Sequence, residues 1–374
     1  MKAIQVRFLA LALTTIAALS HVHVHAQLTA IETNVPRLKD VFARDFKIGW
    51  LLSYTHVGLP GDPPVSGQTA PIDSNNGKLI QFHLNSMGPG NNMKPQYTVD
   101  LAGSAAAYAA ATTQVRKDSV DVRPIIRFNG NLVAQLNWAK RQGFTFRGHT
   151  LVWHSQTPGA GFFNTGYSST ATPLSKARMT ERMENYIKEV IRLLHEGWPG
   201  LLSAMDVVNE AVNDGTGTDR TDSPWYIAFG DNSYLMKAFE FTRKYTVQYG
   251  ESQIKLYYND YNTHDPAKAN GIVRICTPSF QAAFLDVIGM QEHDANNSPT
   301  ADQWIVSYNK LFPVCTEMAV TELDVTTGSA NPSASVLATQ ANQYGQLFKC
   351  FAERSYYSGR GKIISVSKDG LNDT

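Results

Sequence analysis

Five short apolar runs in this chain end abruptly in amides, carboxylates, imidazoles or an indole. That pattern restricts the possible folds more than any bulk property. The runs close on Trp153-His154, Asn209-Glu210, Asn259-Asp260, Gln291-Glu292-His293 and Glu322-Leu323-Asp324. A run bounded in this way reads as a buried strand whose polar end meets an opening. The spacing predicts eight strands: Phe46–Leu52, one within 79–86, Thr145–Val152, Leu202–Asn209, Ile254–Tyr258, Leu285–Gln291, Met318–Leu323 and Ile363–Val366. Helical periodicity falls between them. It runs from Leu132 to a stop at Gly143, over Ser175–His195, Tyr234–Tyr249 and Ala334–Glu353. In Ser175–His195 the residues Met179, Met183, Tyr186, Ile187, Val190, Ile191 and Leu194 share one face. The Ala-rich stretch 101–113 reads as helical or poorly ordered, and 55–77, rich in Gly, Pro and Asp, as a long loop. Buried strands alternating with helices pair in parallel. Eight of them fit an α/β fold of the (β/α)8 TIM-barrel type, whose functional residues sit at the C-terminal strand ends. An open doubly wound sheet is the alternative, but a nucleotide-binding version needs a Gly-rich turn after a strand, and none is found.

The first 26 residues are expected to be a signal peptide. Lys2 and Arg7 precede the apolar segment Phe8–Ser20, and Val24-His25-Ala26 resembles a cleavage site. Residues 27–374 are then the barrel of a secreted protein, extracellular or periplasmic. The chain carries 33 basic and 32 acidic side chains, and losing Lys2 and Arg7 turns the balance slightly negative. This gives no electrostatic case for nucleic acid or an acidic membrane. No stretch after the leader approaches the ~20 apolar residues of a membrane span, and a monomer is expected. Cys276, Cys315 and Cys350 lie in no ligand motif and read as buried thiols, with export leaving a disulfide open.

A single Glu at a strand end is more often an ion-paired structural residue than a catalyst. Here Glu210 has a counterpart in Glu322, about 110 residues later in a segment of the same form. Two carboxylates at the ends of two buried strands suit acid-assisted cleavage of a sugar–sugar bond. The segment Gly148–Pro158 adds His149, Trp153, His154 and Gln156. Histidines five apart on an extended segment do not match common zinc spacings, so no metal is expected. Hydrogen-bonding groups beside a flat indole suit a sugar, which needs polar partners around its edge and an apolar face to rest on. Asn209 and Glu210 are adjacent, so regular extended backbone would send them to opposite faces, and a twist at the strand end must reconcile them.

The segments GHTLVWHSQTP, DVVNEAVND, LYYNDYN, GMQEH and TELDV, in this order, resemble glycoside hydrolase family 10, the retaining endo-β-1,4-xylanases. The resemblance spans roughly residues 36–366. It implies that Glu210 is the general acid/base and Glu322 the nucleophile. It places His149, Trp153, Asn209, Gln291 and His293 around the sugar being cleaved, and Gln156 on the next sugar toward the non-reducing end. Asp324 is implied as the partner of His293, and Tyr258 as an aromatic on the leaving-group side. The implied substrate is xylan or xylo-oligosaccharide, with no cofactor.

Three departures stand beside this. Asn91 and Lys94, implied as sugar contacts, keep the family pattern after strand two, but Gly90 replaces its glutamate. Asp369 stands where the family has a platform tryptophan after strand eight. The sequence then stops after Thr374, so a C-terminally incomplete barrel, with apolar surface of its first and last strands uncovered, is expected. These departures motivate a rival reading, a weakened or non-catalytic xylan-binding protein with a degenerate sugar platform.

Overall fold

The computed structural model describes residues 31–52, 74–356 and 359–369. The expected signal peptide, most of the 55–77 loop and the last five residues lie outside them. Among the described residues nine strands are formed: β1 Lys47–Leu51, β2 Ser86–Met87, β3 Thr145–Trp153, β4 Leu202–Asn209, β5 Lys255–Asp260, β6 Val287–Met290, β7 His293–Ala295, β8 Glu317–Thr326 and β9 Lys362–Asp369. All strand pairs are parallel, in the order β1-β9-β8-β6-β5-β4-β3-β2, with β7 beside β8. The two end strands meet through Gly88, whose N–H donates to Trp50 O at 2.9 Å and whose carbonyl accepts from Leu52 N at 3.1 Å. The sheet therefore closes on itself, and eight strands make the expected (β/α)8 barrel.

Two expectations need correction. Residues 79–86 were expected to contain the second strand, yet most of them belong to the helix Ser74–His83. Ile80 and Leu84 are fully buried four positions apart, a helical spacing in so short a run that apolar content alone reads as strand. The strand is only Ser86–Met87. The same helix begins before the predicted loop ends. The Ala-rich stretch resolves into a helix, Leu101–Ala110, capped by Asp100 Oδ1 accepting from Gly103 N at 2.7 Å. Gly143 ends helix Gly130–Gln142 in the left-handed conformation, φ 68°, as its position predicts.

Two apolar regions result. The large one fills the space between barrel and helices and takes in Met179, Met183, Tyr186, Ile187, Val190, Ile191 and Leu194 of helix Lys176–Gly197. The small one, Ala204, Tyr257, Val287 and Ala319, takes one residue from each of four adjacent strands and plugs the barrel interior. Beyond this plug the interior becomes polar. Arg147 reaches across it, donating from Nη1 to Asp206 Oδ2 at 2.5 Å and from Nη2 to Thr321 O at 2.8 Å. Further along, the inward polar residues Asn209 and Asn259 stand at or near the C-terminal ends of β4 and β5. Cys276, Cys315 and Cys350 are buried free thiols. Among the described residues no helix is long and apolar enough to cross a membrane.

Candidate active site

Glu210 follows the last residue of β4 with φ +54°, a conformation uncommon outside glycine. Its backbone N–H donates to Asn259 O at 2.9 Å. The bend lets Asn209 and Glu210 face the same opening, the reconciliation that strand alternation requires. The Glu210 carboxylate receives three neutral N–H donors. Trp153 Nε1 reaches Oε2 at 2.8 Å, while Gln291 Nε2 and Asn209 Nδ2 reach Oε1 at 2.9 and 3.0 Å. His154 Nδ1 stands 3.9 Å from Oε2.

The loop beyond Glu210 is clamped from behind. Arg220 Nε donates to Glu210 O at 2.9 Å. The fully buried Lys268, under the Tyr261 ring, pairs with Asp214 at 2.7 Å and Asp260 at 2.9 Å. Burial pushes the Asp260 carboxyl up to about 7, with the Lys268 charge pulling against it.

Glu322 has a different environment. It is 8% exposed, accepts from Asn259 Nδ2 at 2.8 Å, and has His293 Nε2 3.6 Å from Oε2. Burial alone would raise its pKa. The His293 interaction and the charges of His149, Arg147 and His293 outweigh burial and bring it down to about 2. His293 is oriented by Asp324, whose Oδ2 lies 2.8 Å from Nδ1. Desolvation would lower the imidazole, but Asp324 and Glu322 raise it to about 10. Near neutral pH, Glu322 is an anion beside an imidazolium.

Asn259 links the two carboxylates. Its Nδ2 donates to Glu322 Oε1 and to Asn209 Oδ1, while Thr321 Oγ1 donates to its Oδ1 at 2.6 Å. Gln291 Nε2 completes the bridge by donating to both Asn209 Oδ1 and Glu210 Oε1. The path Glu210–Asn209–Asn259–Glu322 crosses three strands. Gly289 makes room for it, because a Cβ there would lie 2.4 Å from Asn259 Oδ1.

The remaining residues singled out in the sequence divide cleanly. His149 is buried in the wall, its Nδ1 2.8 Å from Asp206 Oδ2. Lys94 Nζ donates to Asn91 Oδ1 at 2.7 Å and Gln156 Oε1 at 2.8 Å and lies over the Trp153 ring, 4.6 Å from its centroid. Burial lowers the Lys94 pKa, against the pull of Glu322, Glu210 and Asp369. Gly90 has φ 54°, which suits glycine and strains a glutamate. Asp369, at the end of β9, is grouped with His293 and Asp324. Its carboxyl is raised by desolvation and by Glu322.

Tyr258 is the exception. It was expected beside the leaving group, but it is fully buried on the outer face of β5. Its hydroxyl donates to Asp260 Oδ2 at 2.6 Å and accepts from Ala211 N at 3.0 Å. Strand alternation decides this: Tyr257 and Asn259 face the interior, so Tyr258 and Asp260 face the helices. Asn259 and Arg147 were the residues that sequence reasoning missed.

The two carboxylates thus have contrasting surroundings, one among cations and one among neutral donors. Glu322, kept ionised among cations, suits a nucleophile or base, and Glu210 opens on the same cleft as the second carboxyl that such chemistry needs.

Comparison with known proteins agrees. The model of Glycosyl hydrolase family 10 matches residues 38–373. Endo-1,4-beta-xylanase Y of Acetivibrio thermocellus is 32% identical over 355 residues, covering 90% of this chain and 29% of that protein. Bifunctional endo-1,4-beta-xylanase XylA of Ruminococcus flavefaciens is 31% identical, covering 90% and 31%. The chain thus spans about a third of the length of these relatives. Among solved structures, the CBM22-1–GH10 modules of Clostridium thermocellum endo-1,4-beta-D-xylanase 10B, complexed with xylohexaose, superpose with a TM-score of 0.73. The identity is 29%, with 90% of this chain and 61% of that chain covered. The intracellular xylanase of Thermoanaerobacterium saccharolyticum gives a TM-score of 0.71 at 26% identity, covering 91% and 90%. With the match running over nearly the whole barrel and both carboxylates at its C-terminal mouth, the chain belongs to glycosyl hydrolase family 10.

Proposed function

We propose that this protein is a retaining endo-1,4-β-xylanase that cleaves internal linkages of xylan by double displacement. The observation that carries the reading is the contrast between the two linked carboxylates. Glu322 is held ionised beside an imidazolium, as a nucleophile must be, while Glu210 is held by neutral donors. In the first step Glu210 gives its proton to the glycosidic oxygen as Glu322 attacks the anomeric carbon. The leaving sugar departs and a glycosyl–Glu322 ester forms. In the second step Glu210, now a base, takes a proton from water. The water oxygen attacks the same carbon and frees Glu322, so configuration is retained.

His149, Trp153, Asn209, Gln291 and His293 surround the sugar being cleaved. Gln156 serves the next sugar toward the non-reducing end, and Asn91 and Lys94, which bond to each other and, through Lys94, to Gln156, add further sugar contacts. The relatives' names support xylan as substrate, and the apolar start of the sequence supports export.

Glu210→Gln and Glu322→Gln are each expected to lower reducing-sugar release from xylan by about 10³-fold or more. With Glu210→Ala, azide restores turnover of an aryl xyloside bearing a good leaving group and yields the β-xylosyl azide. Absence of both rescue and azide product would remove Glu210 from the acid/base role.

A further inference from the structure

Behind His293, on the side away from Glu322, lies a second group of ionisable residues that the proposed reaction does not use. Glu292 and Asp294 flank His293 on the β6–β7 segment and are 1% and 2% exposed. His264 comes from the loop after β5. One ligand atom from each of the three lies within 4.8 Å of the others.

The environment satisfies these groups poorly. Both carboxylate oxygens of Asp294, Glu292 Oε2 and His264 Nδ1 are buried and lack a hydrogen bond of good geometry, their near neighbours being one another and the Trp304 indole. Thr263 Oγ1 donates to Glu292 Oε1 at 2.8 Å, and Ser307 Oγ donates to the His264 carbonyl rather than to its ring. The only basic side chain paired with Asp294 among the described residues is His264, at 3.9 Å. Two buried carboxylates without a cation are costly. Burial and the neighbouring Glu292 push the Asp294 carboxyl up to about 9. Glu292 is raised by burial, against the pull of His264, Thr263 and Trp304.

We propose that His264, Glu292 and Asp294 form a binding site for a divalent transition-metal cation of the Zn²⁺ or Mn²⁺ class. Two carboxylates and one imidazole supply two negative charges and a nitrogen donor. Calcium and magnesium prefer oxygen-only shells, whereas Zn²⁺ and Mn²⁺ also accept an imidazole nitrogen beside carboxylates. The sequence gives no sign of this site, because its ligands are separated by 28 residues and meet only when two loops pack together. Bound there, the ion ties the loop after β5 to the segment carrying Gln291 and His293. Its role is positional and it takes no part in bond cleavage.

The test uses the full chain, stripped with a chelator and titrated with Zn²⁺, Mn²⁺, Ca²⁺ or Mg²⁺ alone. Stoichiometry is read by calorimetry and melting temperature by circular dichroism. One equivalent of Zn²⁺ or Mn²⁺ is expected to bind and to raise the melting temperature by at least about 3 °C at saturating metal. Equal concentrations of Ca²⁺ and Mg²⁺ are expected to do neither. Asp294→Asn and His264→Ala should lose the equivalent. Glu292→Gln provides a second isosteric variant should Asp294→Asn not fold. Asp369→Asn should keep the equivalent, which separates this site from the His293–Asp324–Asp369 group at the barrel mouth. No bound equivalent, a preference for Ca²⁺ or Mg²⁺, or binding that survives Asp294→Asn or disappears in Asp369→Asn would each overturn the proposal. In the first case the two carboxyls share a proton and nothing more.

Discussion

Asn259 never reaches the surface, yet both carboxylates depend on it. Its Nδ2 serves Glu322 and Asn209 together, and its Oδ1 accepts from Thr321. Removing the amide takes this partner from Glu322 Oε1 and Thr321 Oγ1, at about 1–3 kcal/mol for each that water cannot reach, and leaves Asn209 Oδ1 with Gln291 alone. Asn259→Ala is therefore expected to lower the urea midpoint of unfolding and to reduce kcat on xylan by about tenfold or more, with KM nearly unchanged. A rise in KM at constant kcat would mean that Asn259 contacts sugar directly. The residues legible in the sequence were those ending the strands in the family's segments: Glu210, Glu322, Asn209, Gln291 and His293. Asn259 belongs to the same pattern but was passed over in favour of its aromatic neighbour Tyr258. The missing information was parity. Asn209 pairs with Asn259 across β4 and β5, so an inward Asn209 demands an inward Asn259 and an outward Tyr258.

At the scale of elements, the long apolar periods were readable and the short polar ones were not. Leu202–Asn209 is β4 to the residue, and the helix predicted over Ser175–His195 forms as Lys176–Gly197. β7 went unseen because His293-Asp294-Ala295 has no apolar alternation, and its pairing with Asp324–Thr326 is a tertiary fact. The knot under the β4 loop was also hidden. Lys268 sits on helix Pro266–Gln281, where a lysine ordinarily reads as a solvated residue, yet it is fully buried between Asp214 and Asp260. Breaking such a pair from one side leaves a buried charge and costs about 3–5 kcal/mol. Lys268→Met is expected to destabilise by that order in urea unfolding. Adding Asp260→Asn should recover part of the loss, because it removes the stranded carboxylate. If the double variant were no more stable than the single one, the cost would lie in packing rather than in charge.

For the molecule as a whole, the site's electrostatics set how stability responds to acid. Glu322 is depressed to about 2 in the folded protein from an ordinary value of 4.5. A depressed carboxylate stabilises the fold above its unfolded pKa, and that contribution fades as pH falls toward the folded value. The window is thus from pH 4.5 down to about 2. The shift corresponds to about 3 kcal/mol, an upper order of magnitude for a buried group in this network. Glu322→Gln cannot titrate there. Its unfolding free energy is therefore expected to fall less steeply than the wild type's between pH 5 and pH 3, even if it differs at pH 7. Urea midpoints at half-unit pH intervals would measure the two slopes. Parallel slopes would mean that the cations around Glu322 do not hold it ionised in the free protein. Glu322, in its proposed role as nucleophile, would then have to be ionised by some change that accompanies ligand binding.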